Sequence, residues 1–419
     1  MPKVKGFDEQ YGVQLKYKNY VDNVLTKVAY KFGYKQIQIP LLEYATSFDE
    51  NVVGKSPWPE WNSKGIFSFK ISNYLDSYDD IPSEEEVLLI PEGTISVTRW
   101  LGDKLNNDVV EYPIKMFYNL SCYRNEIINE LSQTKRREFH QFGCEILGTN
   151  CIQSDCEILS IIFESLENLN INKNNIRIRV NDISIYKKLC EESKIDYEQS
   201  IILKEKLDYL AECKAGKHPE KSEETYISII NYLKDYDLSS KIFKKWDIIL
   251  KENSGNITNE MYNVFGIEYK ELFDNLINIQ REFANNNKTI FIDLCVIRSH
   301  EYYTGLSFET DVIYGDKKFI EIAGGGRFDR LVSNFINEKS EIIVPCTGFA
   351  FGTERLIVML NDLGLFNTNH TLNINYDFDE ESEYDMPLDD SINEYFNLYN
   401  KLKDNKNFNI YINKNESKL

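Results

Sequence analysis

The sequence predicts an α+β fold: an antiparallel β-sheet flanked by helices, with a helical insertion. Period-two strand patterns recur between helical patterns through most of the chain. Several neighbouring strands are joined by connections of hairpin length, too short for the crossover that a parallel pair needs. From about Cys190 to Ile267 the chain is charged and lacks strand alternation, the pattern of inserted helices.

Taken in order, YVDNVLTKVAYKFGYKQIQIP (20–40) reads as an amphipathic helix closed by Gly33, then an alternating strand that Pro40 stops. EVLLIPEGT (86–94) is a strand broken at Pro91, leading into the helical pattern ISVTRWLGDKL with Thr94 as its N-cap. IKMFYNLSCYRNE (114–126) and EFHQFGCEIL (138–147) are strands joined by a polar loop too long for a tight hairpin. After Gly148 come a helix, the strand IRIRV and the insertion. Strands return at TIFIDLCVI (289–297), LSFETDVIYG (306–315) and KFIEIAG (318–324), the last two joined by a Gly-Asp turn. GFAFGTERLIVML (348–360) is a strand running into a helix. These bounds divide the chain into a core of residues 1–190 and 265–362, a helical insertion of 191–264 and a C-terminal segment of 363–419.

The 419 residues are 42% apolar, enough for a sizeable core, and no apolar run reaches the length of a membrane span. A cytoplasmic protein with no membrane partner is expected. Eight cysteines show no CxxC spacing, so neither a disulfide framework nor a protein metal site is expected. The net charge of -19 argues against a protein that coats nucleic acid, because that binding depends on neutralising phosphates with Lys and Arg. The stretch DFDEESEYDMPLDD (377–390) holds eight acids and no base and reads as a solvated linker.

Against this acidic background Arg124, Lys135, Arg136 and Arg137 gather around one loop. In the strand that follows, alternation puts Phe139, Gln141, Gly143 and Glu145 on one face and His140, Phe142, Cys144 and Ile146 on the other. Arg124 and Glu126 share a face in the strand before it. An arginine, an aromatic ring and polar groups on one floor suit a nucleotide beside a small polar ligand; an ordinary hairpin with a solvated face has the same pattern. In IRSHEYYTGLSFE (297–309) Arg298 ends an apolar strand, and an extended chain would turn only one of Tyr302 and Tyr303 to a pocket. AGGGRFDRL (323–331) places three glycines before a helix expected near Arg327, which suits a phosphate cradle, a close backbone approach or a plain turn. Arg355 lies in the first turn of a helix, where a cation opposes the dipole unless it faces an anion.

In this order the segments resemble the histidyl-tRNA synthetases, of the class II aminoacyl-tRNA synthetase family. QIQIPLLE looks like their motif 1, CYRNE with RREFHQFGCEILG like motif 2, GFAFGTERL like motif 3, and RSHEYYTG and AGGGRFD like the two histidine-specific signatures. The resemblance implies a class II catalytic fold, ATP with Mg²⁺ on its phosphates, histidine and the tRNA acceptor stem as partners, and a homodimer built through residues 20–42. It implies that Arg124 holds the α-phosphate, Glu126 contacts the adenine, Phe139 stacks on it and Arg355 reaches the γ-phosphate. Glu92, Thr94 and Gln141 would hold the histidine ammonium group, Glu145 and Tyr303 its imidazole with Tyr302 alongside, and Arg298 would stabilise charge as the carboxylate attacks. Lys135, Arg136 and Arg137 are the candidate RNA contacts. The chain departs from the family at Ile90, where an arginine is usual, and at Ser299, His300 and Glu301, where Gly-Leu-Asp is usual. The residues after the acidic run suffice for one helix and one strand, so an incomplete anticodon-binding domain is expected. That feature, with SHEYYTG, also resembles the non-catalytic regulatory subunit of ATP phosphoribosyltransferase; a synthetase-like enzyme with a non-tRNA acceptor is the third reading.

Overall fold

Val21, Leu25 and Val28, four and three residues apart, put one apolar stripe on helix α1 (Val13–Lys31), and all three are buried. Gly33, at φ +80, ends the helix as expected. The strand that follows is shorter than predicted: β1 is only Lys35–Gln36, paired parallel to β5 (Ile114–Tyr123) at the edge of the main sheet. The computed structural model describes residues 3–54, 65–72, 84–126, 136–252, 254–298, 300–337 and 342–366. The predicted acidic linker and domain remnant therefore lie, beyond residue 366, outside the described residues, as does Lys135.

Next come β2 (Leu42–Tyr44), the short α2 (Glu50–Val53), β3 (Ser68–Ser72) and β4 (Glu84–Leu89), which form a small sheet in the order β2-β4-β3. Helix α3 (Thr94–Asn107) then precedes the long hairpin of β5 and β6 (Glu138–Leu147). The cap of α3 differs from expectation. Glu92, not Thr94, accepts the helix N–H groups, from Thr94 at 2.9 Å and Ile95 at 2.7 Å. The Thr94 hydroxyl is engaged elsewhere, donating to Glu145 Oε1 at 2.8 Å.

After α4 (Ile152–Asn168), β7 (Ile176–Asp182) and α5 (Ile183–Glu192) the chain is helical for most of the way to β8 (Ile290–Ile292). This stretch holds α6 (Tyr197–Ala215), α7 (Ser222–Lys234), α8 (Ser240–Lys251), α9 (Asn259–Phe265) and α10 (Lys270–Ala284). Leu203, Leu207, Trp246, Phe265 and Phe273 from these helices join the same buried cluster as the sheet residues Phe142, Ile178 and Phe308. Burial of such side chains contributes about 1.5–3 kcal/mol each. The remaining elements are β9 (Leu306–Tyr314), β10 (Lys317–Arg327), β11 (Cys346–Gly352) and α11 (Thr353–Asp362).

The main sheet runs β1-β5-β6-β11-β10-β9-β7-β8. Its six central strands are antiparallel as predicted, and its two edge pairs, β1–β5 and β7–β8, are parallel. The parallel edge β7–β8 is reached through the helical stretch, which supplies the long crossover that a hairpin cannot. β9 and β10 form the expected hairpin around Gly315 and Asp316. Two predictions fail locally. The apolar run 293–297 is not strand: Asp293 Oδ1 accepts the N–H of Cys295 at 3.1 Å, and buried Asn181 donates to the carbonyls of Leu294 and Val296, holding a turn. The three glycines lie inside β10, between β9 and β11, and no helix opens at Arg327, so no phosphate cradle forms there. Among the described residues no helix is long and apolar enough to cross a membrane.

Candidate active site

Strand alternation builds one wall of a cavity of about 350 Å³. Phe142, Cys144 and Ile146 point into the larger core, while Phe139 and Gln141 line the cavity, as predicted. Glu145 lies one layer deeper and is buried, bonded to the Thr94 hydroxyl and, at 3.2 Å, to the Tyr118 hydroxyl; its Oε2 has no partner among the described residues. Burial pushes its carboxyl well above the usual range. Gly348 of β11 stands opposite, and a Cβ there would meet Oε2 at 1.5 Å, so only glycine admits this carboxyl.

Arg124 ends the adjoining strand. Its Nε donates to the Pro91 carbonyl at 3.1 Å and its guanidinium lies 5.0 Å from the centre of the Phe139 ring, a cation–π contact. Glu92, Thr94, Glu126 and Arg136 also face the cavity. Gln141 accepts the Gly93 N–H at 3.3 Å. Arg137 is turned to the main chain, donating to the carbonyls of Glu126 and Lys5.

The opposite wall is irregular. Arg298 follows the Asp293 turn and donates to Glu309 and to Glu321, both at 3.2 Å, while its buried Nε has no partner among the described residues. Burial opposes its charge, but Glu309, Tyr303 and Glu321 hold its pKa above the ordinary arginine value. Gly324 makes room for it, since a Cβ there would lie 2.5 Å from the guanidinium carbon. Because residues 300–305 turn instead of extending, Tyr302 and Tyr303 both line the cavity, their ring centres 4.9 Å apart; the one-sided expectation for this pair is corrected. Arg355 lies in the first turn of α11 as read, and its anion is Glu321, whose main-chain oxygen and carboxylate it meets at 2.5 and 3.5 Å. Glu354, the nearer acid in sequence, instead accepts from His140, from the ring Nδ1 at 2.7 Å and the N–H at 2.9 Å.

Glu321 thus ties Arg298 to Arg355. It sits at φ +58 in a bulge of β10, and although burial raises its pKa, Arg355 and Arg298 bring it down to about 2. Sequence reading missed several cavity residues. Glu309 was visible as an acid two residues from Asp311 in an otherwise apolar strand, and Glu321 as an acid in KFIEIAG. Asp208 and Glu212, on α6, and Lys217 just beyond it carried no signal, since nothing in a charged helical pattern says which turn meets a pocket. His300 lines the cavity with its ring 5.0 Å from Tyr302; burial, then Arg298, push its pKa well below the ordinary histidine value. Among the described residues no group of three or more His, Cys, Asp or Glu is gathered to cage a metal.

The family model described as histidyl-tRNA synthetase matches residues 6–356. A histidine–tRNA ligase of Saccharolobus solfataricus is 27% identical over 365 residues, which is 86% of this chain and 76% of that protein. One from Saccharolobus islandicus is 29% identical over 363 residues, with the same coverage. Among solved structures, an ATP phosphoribosyltransferase regulatory subunit/histidyl-tRNA synthetase from Bacillus halodurans C shares the fold, with a TM-score of 0.65 at 20% identity over 86% of this chain and 83% of that one.

Proposed function

The chain belongs to the histidyl-tRNA synthetase family, and we propose that it activates histidine with ATP to histidyl-adenylate and transfers the histidyl group to tRNA. The observation that supports catalysis is the convergence of Arg124, Arg298 and Arg355 on one cavity that also receives Gln141 and the two tyrosines. A chain that only senses histidine has no chemical need for three arginines around the ligand. In this reading the histidine carboxylate oxygen bonds to the α-phosphorus while the bond from that phosphorus to the β-phosphate oxygen breaks, and pyrophosphate leaves with the electron pair. Arg124 and Arg298 face the charge that develops at the α-phosphate, and Arg355 the γ-phosphate, the positioning and electrostatic work that phosphoryl transfer asks of a protein. Phe139 stacks on the adenine and Glu126 hydrogen-bonds it. Glu92, Thr94 and Gln141 receive the ammonium group. Glu145 Oε2, buried and without a partner among the described residues, faces the imidazole N–H, with Tyr303 and Tyr302 alongside.

Mg²⁺ binds through one or two carboxylates plus substrate phosphates; Glu321, which is paired with Arg298 and Arg355 but is not fully buried, is the better candidate in this cavity, since Glu309 is held by both Arg179 and Arg298. When bound, the ion would neutralise phosphate charge. Arg136 and, outside the described residues, Lys135 are the candidate contacts for the acceptor stem. Assembly as a homodimer through residues 20–42 and a cytoplasmic location belong to the same proposal. The test is histidine-dependent exchange of pyrophosphate into ATP, followed by charging of tRNA. Exchange with charging supports the full reading. Exchange without charging points to another acceptor, and histidine binding without exchange to the regulatory reading that the Bacillus likeness keeps open.

A further inference from the structure

Residues 3–5, 8 and 9 are exposed, yet Gly6 among them is buried. No apolar side chain explains that burial. The Gly6 carbonyl accepts two successive main-chain N–H groups, from Arg137 at 2.9 Å and Glu138 at 3.1 Å, where the ladder of β5 and β6 begins. The Arg137 carbonyl in turn accepts the N–H of Arg124 at 2.9 Å. One peptide group therefore stands between Gly6 and the backbone of the arginine assigned to the α-phosphate. The flanking residues brace the same place. Phe7 stacks on Tyr123 at 6.3 Å and meets Phe67 at 6.0 Å, while Asn125 donates to the Gly65 carbonyl at 2.8 Å. Asp8 accepts from Lys3 through Oδ1 and pairs with Arg136 at 2.7 Å through Oδ2, and Lys5 offers its carbonyl to Arg137.

We infer that residues 5–8 position the ATP-binding arm, with Gly6 and Asp8 as positioning residues that act through Arg137, Arg136 and Arg124 and touch no substrate themselves. The inference rests on the reading of Arg124 and Glu126 as ATP contacts. An arm of two paired strand ends is ordered by whatever holds its base, and a carbonyl shared by two N–H groups fixes that base without adding a side chain to the cavity. The position also demands glycine: φ is +89, and a Cβ would stand 2.9 Å from Arg137 Cγ.

The experiment compares the unmodified protein with Gly6→Ala, Asp8→Ala and Asp8→Glu. ATP and histidine binding are titrated separately by calorimetry, KM for each is taken from pyrophosphate exchange, and thermal melting is recorded. Gly6→Ala should weaken ATP binding and raise the KM for ATP on the order of tenfold, less than the 10²-fold that a 1 Å misplacement at the chemistry can cost. Histidine binding should hold, while the strain at φ +89 lowers Tm by a few degrees. Asp8→Ala, on an exposed pair, should raise the KM for ATP two- to threefold, and Asp8→Glu should restore it; this pair keeps the test decisive if Gly6→Ala folds poorly. ATP affinity equal in the unmodified protein and both disruptive variants overturns the inference alone. ATP and histidine affinities that fall together with Tm also overturn it, in favour of a merely structural segment. An unmodified protein that binds histidine but no ATP overturns the reading beneath it.

Discussion

On β6 the cavity residues Phe139 and Gln141 hang two apart from a backbone paired without a break to β5, and Arg124 and Glu126 follow directly on the end of β5. Across the cavity, Arg298 and the tyrosines leave a turn, Glu321 leaves a bulge at positive φ, and Asp208 arrives on a helix some ninety residues earlier in the chain. The first wall is held by main-chain hydrogen bonds, and the second adds to its strand pairings a set of ion pairs between side chains. A side chain lost from the strand wall leaves its scaffold in place. One lost from the turn wall removes a charge that its acidic partners share, leaving Glu309 to Arg179 and Glu321 to Arg355, so that function and some stability fall together.

The largest expected effect tests that contrast directly. Arg298→Ala should slow exchange by about 10²–10³-fold, as for other losses of a charge stabiliser, and should also lower Tm by several degrees, because Glu309 and Glu321 lose a shared partner. Arg124→Ala should slow exchange comparably with little change in Tm. Equal Tm losses in melting curves of the two variants would erase the distinction between the walls.

A smaller effect sharpens it. Gly324→Ala puts a methyl group against the Arg298 guanidinium and should cut exchange roughly tenfold with histidine affinity kept, the signature of a displaced transition-state group. Gly143→Ala, on the strand wall, meets the Tyr118 ring at 2.3 Å and through it the bond to Glu145, so it should weaken histidine binding instead. Titration of both variants with histidine would show a shared defect if the two walls are not separable.

How much of this was legible follows from the same contrast. Phe139, Gln141, Gly143 and Glu145 could be read because period two is a property of any strand, and the β9–β10 hairpin because Gly-Asp is a turn signal. The Tyr302 and Tyr303 pair was misread, since an Asx turn at Asp293 and a further turn at 300–305 break the extended path on which alternation depends. The glycine run looked like a loop because its true reason, room for Arg298 at Gly324 and for close strands at Gly325, exists only after folding. Thr94 looked like a cap because its hydroxyl partner, Glu145, is 51 residues away.

The smallest effect is in pH. Burial raises the pKa of Glu145 in the folded chain, so the folded state holds that proton more tightly than the unfolded state. Stability from this group is therefore full below its unfolded pKa of about 4.3 and declines as pH rises toward the folded value. Glu145→Gln should flatten that decline, so the Tm difference between the variant and the unmodified protein should grow in the variant's favour from pH 5 to pH 8. A difference constant across that window would mean that Glu145 keeps its charge when folded.

Glu321 lies between Arg298 and Arg355. It is a resident counter-ion, doing inside the fold what dissolved chloride does at an open basic surface. On the proposed reading, a triphosphate entering the cleft replaces one anion by another. On that reading, capture at this end of the cleft is an exchange of partners, governed by how well a triphosphate outcompetes one carboxylate.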